Sequence, residues 1–208
     1  RVPPFDQALA VASVQAAFGR DLKDVFAKFG EPIAAASIAQ VHRATVRDEK
    51  GDRDVAVKIL RPGVERRFRR DLGDMFFAAR LAERQSSEAK RLRLVNVVET
   101  LARSVKMEMD FRLEAAAASE FAENIAADPD FLVPDVDWNR TAKEVLTTRW
   151  IDGTPLSNTV ELQKQGYDLK RLARIVIQSF LRHAVRDGLF HADMHQGNLF
   201  VDGQGKIV

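Results

Sequence analysis

The run His191-Ala192-Asp193-Met194-His195-Gln196-Gly197-Asn198 concentrates a carboxylate, two imidazoles and an amide within eight residues of a 208-residue chain. Asp193 and Asn198 stand five positions apart. A loop acid that orients a nucleophile, followed by an amide that holds magnesium, is a division of labour found in phosphoryl transfer. The same residues admit two other readings. His191, Asp193 and His195 alternate as ligands of a metal hydrolase could, and the run could equally be a hydrogen-bonded turn with no chemistry. The octapeptide alone does not choose among the three.

Upstream, Lys58 sits in Asp54-Val55-Ala56-Val57-Lys58-Ile59-Leu60, a run apolar enough to be a half-buried strand, shortly after the small-residue stretch Ala34-Ala35-Ala36-Ser37. A strand lysine in that setting can grip the phosphates of a nucleotide while a helix carboxylate steadies its ammonium. Its bland alternative is a lysine on the solvent face of an edge strand. Asp110 and Glu114 are like charges at helical i, i+4 spacing, a repulsion of about 0.2–0.5 kcal/mol that Lys58 or a magnesium ion could relieve, unless both acids face water. Arg61, Arg66, Arg67, Arg69 and Arg70 form the one dense basic cluster. Such a cluster is either a solvated face with local acid partners or a contact for an anionic membrane surface.

The elements that must position these groups read as follows. Gln7 to Phe18 is a short amphipathic helix capped by Asp6, and Leu22, Val25, Phe26 and Phe29 continue at helical spacing until Gly30. Pro32 to Val46 runs from a small-residue loop into a strand, and a polar turn at 48–52 joins it to the Lys58 strand as a hairpin. Asp71 to Ala89 is helical, Gln85 to Lys90 reads as a loop, and Leu92 to Ile125 is helix-rich. Phe111, Ala115, Ala118, Ala122 and Ile125 draw its apolar stripe. Phe131 to Val136 and Lys143 to Trp150 read as strands. Asp168 caps a long helix that Gly188 ends, and Leu199 to Val208 reads as a short hairpin. The lobe boundary falls at the Gly-Pro connection after Ile151.

Composition narrows the class. Lys and Arg total 32 against 30 Asp and Glu, so the net charge is only +2 and does not by itself point to nucleic acid. The chain has no Cys, which removes disulfides, thiolate zinc sites and cysteine nucleophiles. No signal peptide and no membrane-spanning apolar run is visible. The chain starts without Met and stops at Lys206-Ile207-Val208 in a strand-like run, and it reads as a fragment.

Three spellings, taken in order, carry a family resemblance: Ala34-Ala35-Ala36-Ser37-Ile38-Ala39-Gln40-Val41-His42, then Glu108-x-Asp110, then His191-Ala-Asp-Met-His-Gln-Gly-Asn198. Together with Val55-Ala56-Val57-Lys58 they resemble the UbiB family of atypical kinases, also called the AarF-domain family. The resemblance covers nearly the whole chain. It implies an α+β, protein-kinase-like two-lobed fold: an N-lobe antiparallel sheet with inserted helices over residues 1–151, and the start of a helical C-lobe over 152–208.

The resemblance also assigns roles. Lys58 matches the phosphate-gripping lysine, Glu114 its helix partner, Asp193 the catalytic-loop acid and Asn198 the magnesium ligand. Ala34, Ala35, Ala36 and Ser37 match the family's nucleotide loop, which stands where ordinary kinases have glycines. Alanine carries a Cβ and tolerates positive φ badly, so this loop should be stiffer and approach phosphate differently. Glu108 and Asp110 match an acidic motif near the nucleotide, and Arg149, Trp150 and Ile151 stand at the hinge that would hold adenine through backbone groups. ATP and Mg2+ are the implied cofactors. Three departures stand out: the family's Lys-x-Gly-Gln helix would precede Arg1, its Asp-Phe-Gly metal motif would follow Val208, and Gln196 replaces the usual Pro.

The leading expectation is a Mg-ATP-dependent kinase or ATPase supporting ubiquinone biosynthesis, with a small or lipid-related acceptor. Its alternative is a pseudokinase-like module in which nucleotide gates access to lipid quinone precursors or partner enzymes. Expected contacts are ATP, an anionic membrane surface and ubiquinone-biosynthesis proteins or lipid precursors, without nucleic acid. The expected location is cytoplasmic, peripheral to or anchored at the inner membrane in the full-length protein. The hydroxylase label attached to some relatives describes the pathway better than the chemistry, since no flavin, haem or di-iron pattern is present. A hydrolase metal site would leave Lys58 and Glu114 unexplained, and His42 and His183 are the only other histidines.

Overall fold

In the computed structural model, residues 2–49, 51–126, 128–182 and 199–208 are described. They pack as two compact units, Arg1–Ala115 with Asp137–Thr148, and Ala116–Val136 with Arg149–Val208.

The first unit is built on a four-stranded sheet in the order β1 (Lys28–Ala35), β2 (Ala39–Asp48), β3 (Gly51–Leu60), β4 (Val145–Arg149). β2 pairs antiparallel with both β1 and β3, and the β2–β3 register runs unbroken from Ala39↔Leu60 to Asp48↔Gly51. Alternation fixes what each face does. Ala44 and Val46 of β2 and Val55, Val57 and Ile59 of β3 join one buried cluster with Ala10 and Val14 of α1 (Gln7–Phe18). Each fully buried Val or Ile contributes about 1.5–3 kcal/mol, so this face holds the register. The expected cap of α1 is present: the Asp6 carboxylate accepts from the Ala8 N–H at 2.8 Å.

The expected helix through Phe29 is shorter. α2 spans only Leu22–Val25, Phe26 is extended, and Phe29 pairs with Ala44 inside β1. Tertiary packing overrides the spacing here, because the Phe29 ring stacks on His42 at 4.6 Å and lies 5.8 Å from Phe26. Gly30 does not stop a helix. It lets β1 approach β2, where an added Cβ would lie 2.9 Å from the Arg43 carbonyl oxygen.

Two further expectations are corrected in the helical insertion. α3 spans Val64–Gln85, so most of the arginine cluster lies on its first two turns rather than before it. The expected loop at 85–90 reduces to Ser86, whose hydroxyl accepts from the Ala89 N–H and starts α4 (Ser87–Leu92). α5 (Leu94–Glu108) and α6 (Phe111–Asn124) follow.

In the second unit, β5 (Gly153–Pro155) pairs antiparallel with β6 (Phe200–Asp202), beside α7 (Thr159–Lys164) and α8 (Leu169–Arg182). The Asp168 carboxylate accepts from the Lys170 N–H at 2.8 Å, which caps α8 as expected. Leu162, Leu172, Ile175, Val201 and Ile207 form the core. Residues 131–136 are not a continuous strand: only Phe131 and Val136, at the two ends, form isolated bridges, and Pro134 between them offers no N–H. Phe121, Ile125, Phe131 and Val133 also pack into this second core.

One buried network in the first unit titrates. His42 is fully buried; its Nδ1 meets the Gly30 carbonyl at 2.9 Å and its Nε2 meets Gln40 Nε2 at 2.9 Å. Gln40 also accepts from the Phe5 N–H at 2.9 Å. The amide N–H2 of Gln40 can only donate, so the ring is neutral with its proton on Nδ1. Burial lowers the His42 pKa, opposed by the Gly30 hydrogen bond and by Glu31. An unfolded His42 then binds a proton more readily than the folded one, so stability holds above the ordinary value of 6.5 and falls as pH drops below it. Urea melts of wild type and His42→Gln between pH 8 and pH 5 should show a steeper acid-side loss for wild type. Parallel pH profiles would contradict this account.

Candidate functional site

Because Val57 and Ile59 point into the core, Lys58 between them must project from the opposite face of β3. There it meets α6. Lys58 Nζ donates to Glu114 Oε1 at 2.8 Å and to Oε2 at 2.7 Å, across a sequence separation of 56 residues. The ammonium also lies 4.8 Å from the centroid of the Phe111 ring. An ammonium has three donors. Two go to Glu114, which leaves one for a further acceptor. With side-chain exposures of 33% and 45%, the pair is open to solvent and to a ligand.

Glu114 is placed by the way α6 begins. The Phe111 N–H donates to the Lys143 carbonyl at 2.9 Å, and the Leu60 N–H donates to the neighbouring Glu144 carbonyl at 2.9 Å. The two residues before β4 therefore tie the end of β3 to the first turn of α6. Phe111 and Ala115 are buried, and Glu114 is exposed on an adjoining side of the helix.

Asp110 has a local task at the same junction. Its Oδ1 accepts from the Arg112 N–H at 3.2 Å, as an N-cap does, and its two oxygens take Arg112 Nε at 2.8 Å and Nη2 at 2.6 Å. The Arg112 guanidinium holds the Asp110 carboxyl below the usual carboxylate range. Asp110 and Glu114 thus have a cation each, Arg112 and Lys58, which relieves the like-charge pair. Sequence reading missed Arg112, although Asp-x-Arg at a helix start is a recognisable cap with a charge partner. Glu108 is exposed in the last turn of α5.

The small-residue stretch is shorter as a loop than expected. Ala34 and Ala35 end β1, paired with Val41 and Gln40, and the Ala36 N–H donates to the Ala39 carbonyl at 2.8 Å to close the turn. None of Ala34, Ala35, Ala36 and Ser37 takes a positive φ, so the turn forms without glycine. Ser37 and Ile38 line a cavity of about 250 Å³ with Arg61, Gly63, Arg67 and Phe68.

Arg149, Trp150 and Ile151 belong to the second unit. The Arg149 N–H donates to the Asp135 carbonyl at 2.8 Å, and Trp150 Nε1 donates to Asp152 at 2.8 Å. Asp193 and Asn198, with His183, His191, His195 and Gln196, lie outside the described residues. Among the described residues no group of three His, Asp or Glu side chains is arranged to hold a metal ion.

A four-stranded sheet that offers a strand lysine to a helix glutamate, in a chain whose second unit carries α8, defines a kinase-like domain. The ABC1 atypical kinase-like domain matches residues 1–208, and the chain belongs to that family. It is 42% identical over 202 residues to a probable protein kinase UbiB of Azotobacter vinelandii, and the match covers 97% of this chain and 37% of the relative. It is 40% identical over 203 residues to a probable protein kinase UbiB of Marinobacter nauticus, with the same coverage of 97% and 37%. Among solved structures, the complex of Rv3197 with erythromycin from Mycobacterium tuberculosis superimposes with a TM-score of 0.77 at 31% identity, covering 99% of this chain and 50% of that one. The chain therefore spans 37% of the length of these curated relatives.

The exposure of the Lys58–Glu114 pair sets what it is worth to the fold. Exposed pairs contribute about 0.2–1 kcal/mol, so Glu114→Gln should lower the unfolding free energy by less than about 1 kcal/mol. Urea denaturation at neutral pH checks this; a loss several times larger would make the pair a structural element of the fold.

Proposed function

We propose that this domain binds Mg-ATP and transfers or hydrolyses its γ-phosphoryl group, as part of a longer UbiB-like protein serving ubiquinone biosynthesis. The observation that carries the reading is the Lys58 ammonium, held by both oxygens of Glu114 on the sheet face away from the core and retaining one donor. A phosphate oxygen is a chemically matched acceptor for that donor.

In this reading Lys58 orients the phosphates and Glu114 orients Lys58. Ala34, Ala35, Ala36 and Ser37 cover the phosphates, and the backbone of Arg149, Trp150 and Ile151 holds adenine. Asp193 positions the attacking hydroxyl or water, and Asn198 holds magnesium. Magnesium, when bound, neutralises charge that develops on the phosphate oxygens. Glu108 and Asp110 shape the acidic side of the site, Asp110 with Arg112 as its partner.

The proposed partners beyond ATP are an anionic membrane surface, ubiquinone-pathway proteins and lipid precursors. Arg66, Arg67 and Arg70 are exposed on α3, which suits such a surface. No helix among the described residues is long and apolar enough to cross a membrane. The proposed location is cytoplasmic, peripheral to or anchored at the inner membrane through the full-length protein.

One observation favours a second reading, a nucleotide-gated binding module. The Ala36 N–H is committed to closing its own turn, so that donor is unavailable to cradle phosphate. Slow turnover with retained binding would follow.

Calorimetry and phosphate release on the full-length wild type, Lys58→Ala and Asp193→Asn separate the readings. Lys58→Ala should weaken Mg-ATP binding about tenfold or more. Asp193→Asn should retain binding and lose turnover by about 10²-fold or more. Wild-type binding with no turnover would establish the gated module, and no binding at all would remove both readings.

A further inference from the structure

We infer that Phe111 is a positioning residue that holds the Lys58 ammonium in its Glu114-paired orientation before any nucleotide arrives, an inference that rests on the nucleotide reading of Lys58 above. Three observations converge on it. The Phe111 side chain is among the largest fully buried ones, at 1% exposure. Its ring lies 4.8 Å from Lys58 Nζ. Its backbone N–H is bonded to the Lys143 carbonyl at 2.9 Å, and Lys143 Nζ in turn reaches Glu65 at 2.8 Å.

A lysine on a strand has four rotatable side-chain bonds, and a single exposed carboxylate restrains them weakly. The negative face of an aromatic ring attracts the ammonium from a second direction. Phe111 and Glu114 are three residues apart on one helix, so ring and carboxylate move together. Their common helix start is tied to the turn before β4, whose next carbonyl, that of Glu144, accepts the Leu60 N–H two residues from Lys58. Swinging α6 away from β3 would break the Phe111 hydrogen bond, expose a buried aromatic ring and remove both partners of Lys58 at once. The paired state is thereby built into the domain rather than assembled on binding, and Lys58 meets a phosphate without first being reoriented.

The test reads Lys58 directly in the full-length protein without nucleotide. The rate at which an amine-acylating reagent modifies Lys58, followed by peptide mass spectrometry, reports how firmly the ammonium is held. Phe111→Leu, which keeps an apolar side chain and removes the ring, should raise that rate about fivefold, while Phe111→Tyr should stay within about twofold of wild type. Phe26→Leu, in the core on the other face of the sheet, should leave it unchanged at a comparable loss of melting temperature. If Phe111→Leu fails to fold, Phe111→Met takes its place with the same expectation. Mg-ATP binding should weaken about fivefold with Phe111→Leu and recover with Phe111→Tyr. An unchanged acylation rate, an equal rise in Phe26→Leu, or no rescue by Phe111→Tyr would overturn the inference. Failure of wild type to bind nucleotide would remove the proposed function, yet the acylation rates would still decide the role of Phe111.

Discussion

A β-strand turns successive side chains to opposite faces, and β3 uses that constraint to do two things with one segment. Val55, Val57 and Ile59 are completely buried against α1 and the neighbouring strands. Slipping β3 by one residue would put Lys58 into that core and three branched apolar side chains onto the other face, a change of many kcal/mol. The apolar register therefore determines where the ammonium emerges, and the position of Lys58 is as well defined as the core beneath it. The energy that holds Lys58 in place comes mainly from its neighbours' burial. Its own ion pair is too exposed to supply it.

The partner side is fixed by backbone rather than by charge. Lys143 and Glu144 give consecutive carbonyls to Phe111 and Leu60, so a single dipeptide bridges helix and strand. Farther along the chain, Asp137 plays a comparable role with side chains. It is buried, and its carboxylate accepts from Arg53 at 2.6 Å and from Arg140 at 3.0 Å, the latter also donating to the Val25 carbonyl. A buried acid without those guanidinium groups would cost several kcal/mol, which restricts how the segment before β4 can lie. Both devices act on the same stretch, the approach to β4 that positions the start of α6.

Features encoded by neighbouring residues were legible in the sequence. Asp6 before α1, Asp168 before α8 and the β2–β3 hairpin all follow from caps, period and turn chemistry within a few residues. The extension of α2 through Phe29 was misread because its apolar spacing suits a helix, while the deciding contact is with His42, far along the chain. The loop expected at 85–90 failed for the opposite reason: one serine suffices both to end α3 and to start α4. The meeting of Lys58 and Glu114 could not be derived from spacing at all, since 56 residues separate them. The like charges of Asp110 and Glu114 call for a cation without choosing between Lys58 and magnesium; the family resemblance pairs Lys58 with Glu114, and the role of Phe111 carried no signal beyond its place in an apolar stripe.

The alanine turn shows how a replacement that looks prohibitive can be accommodated by geometry. Glycine is needed where φ is positive or where another backbone passes close by. Here the β1–β2 register is irregular between Phe29 and Pro32 and again between Pro32 and Ala34. Proline cannot donate to the ladder and favours such interruptions. Irregularities of this kind bend and twist a strand, which lets the hairpin reach Ala39 with Ala34 to Ser37 all at negative φ. The bend is made several residues before the turn, where Pro32 and Gly30 can bear it, so the turn itself needs no glycine. Closure of the turn takes the Ala36 N–H, so that donor is spent within the hairpin and does not add to a nest of free N–H groups.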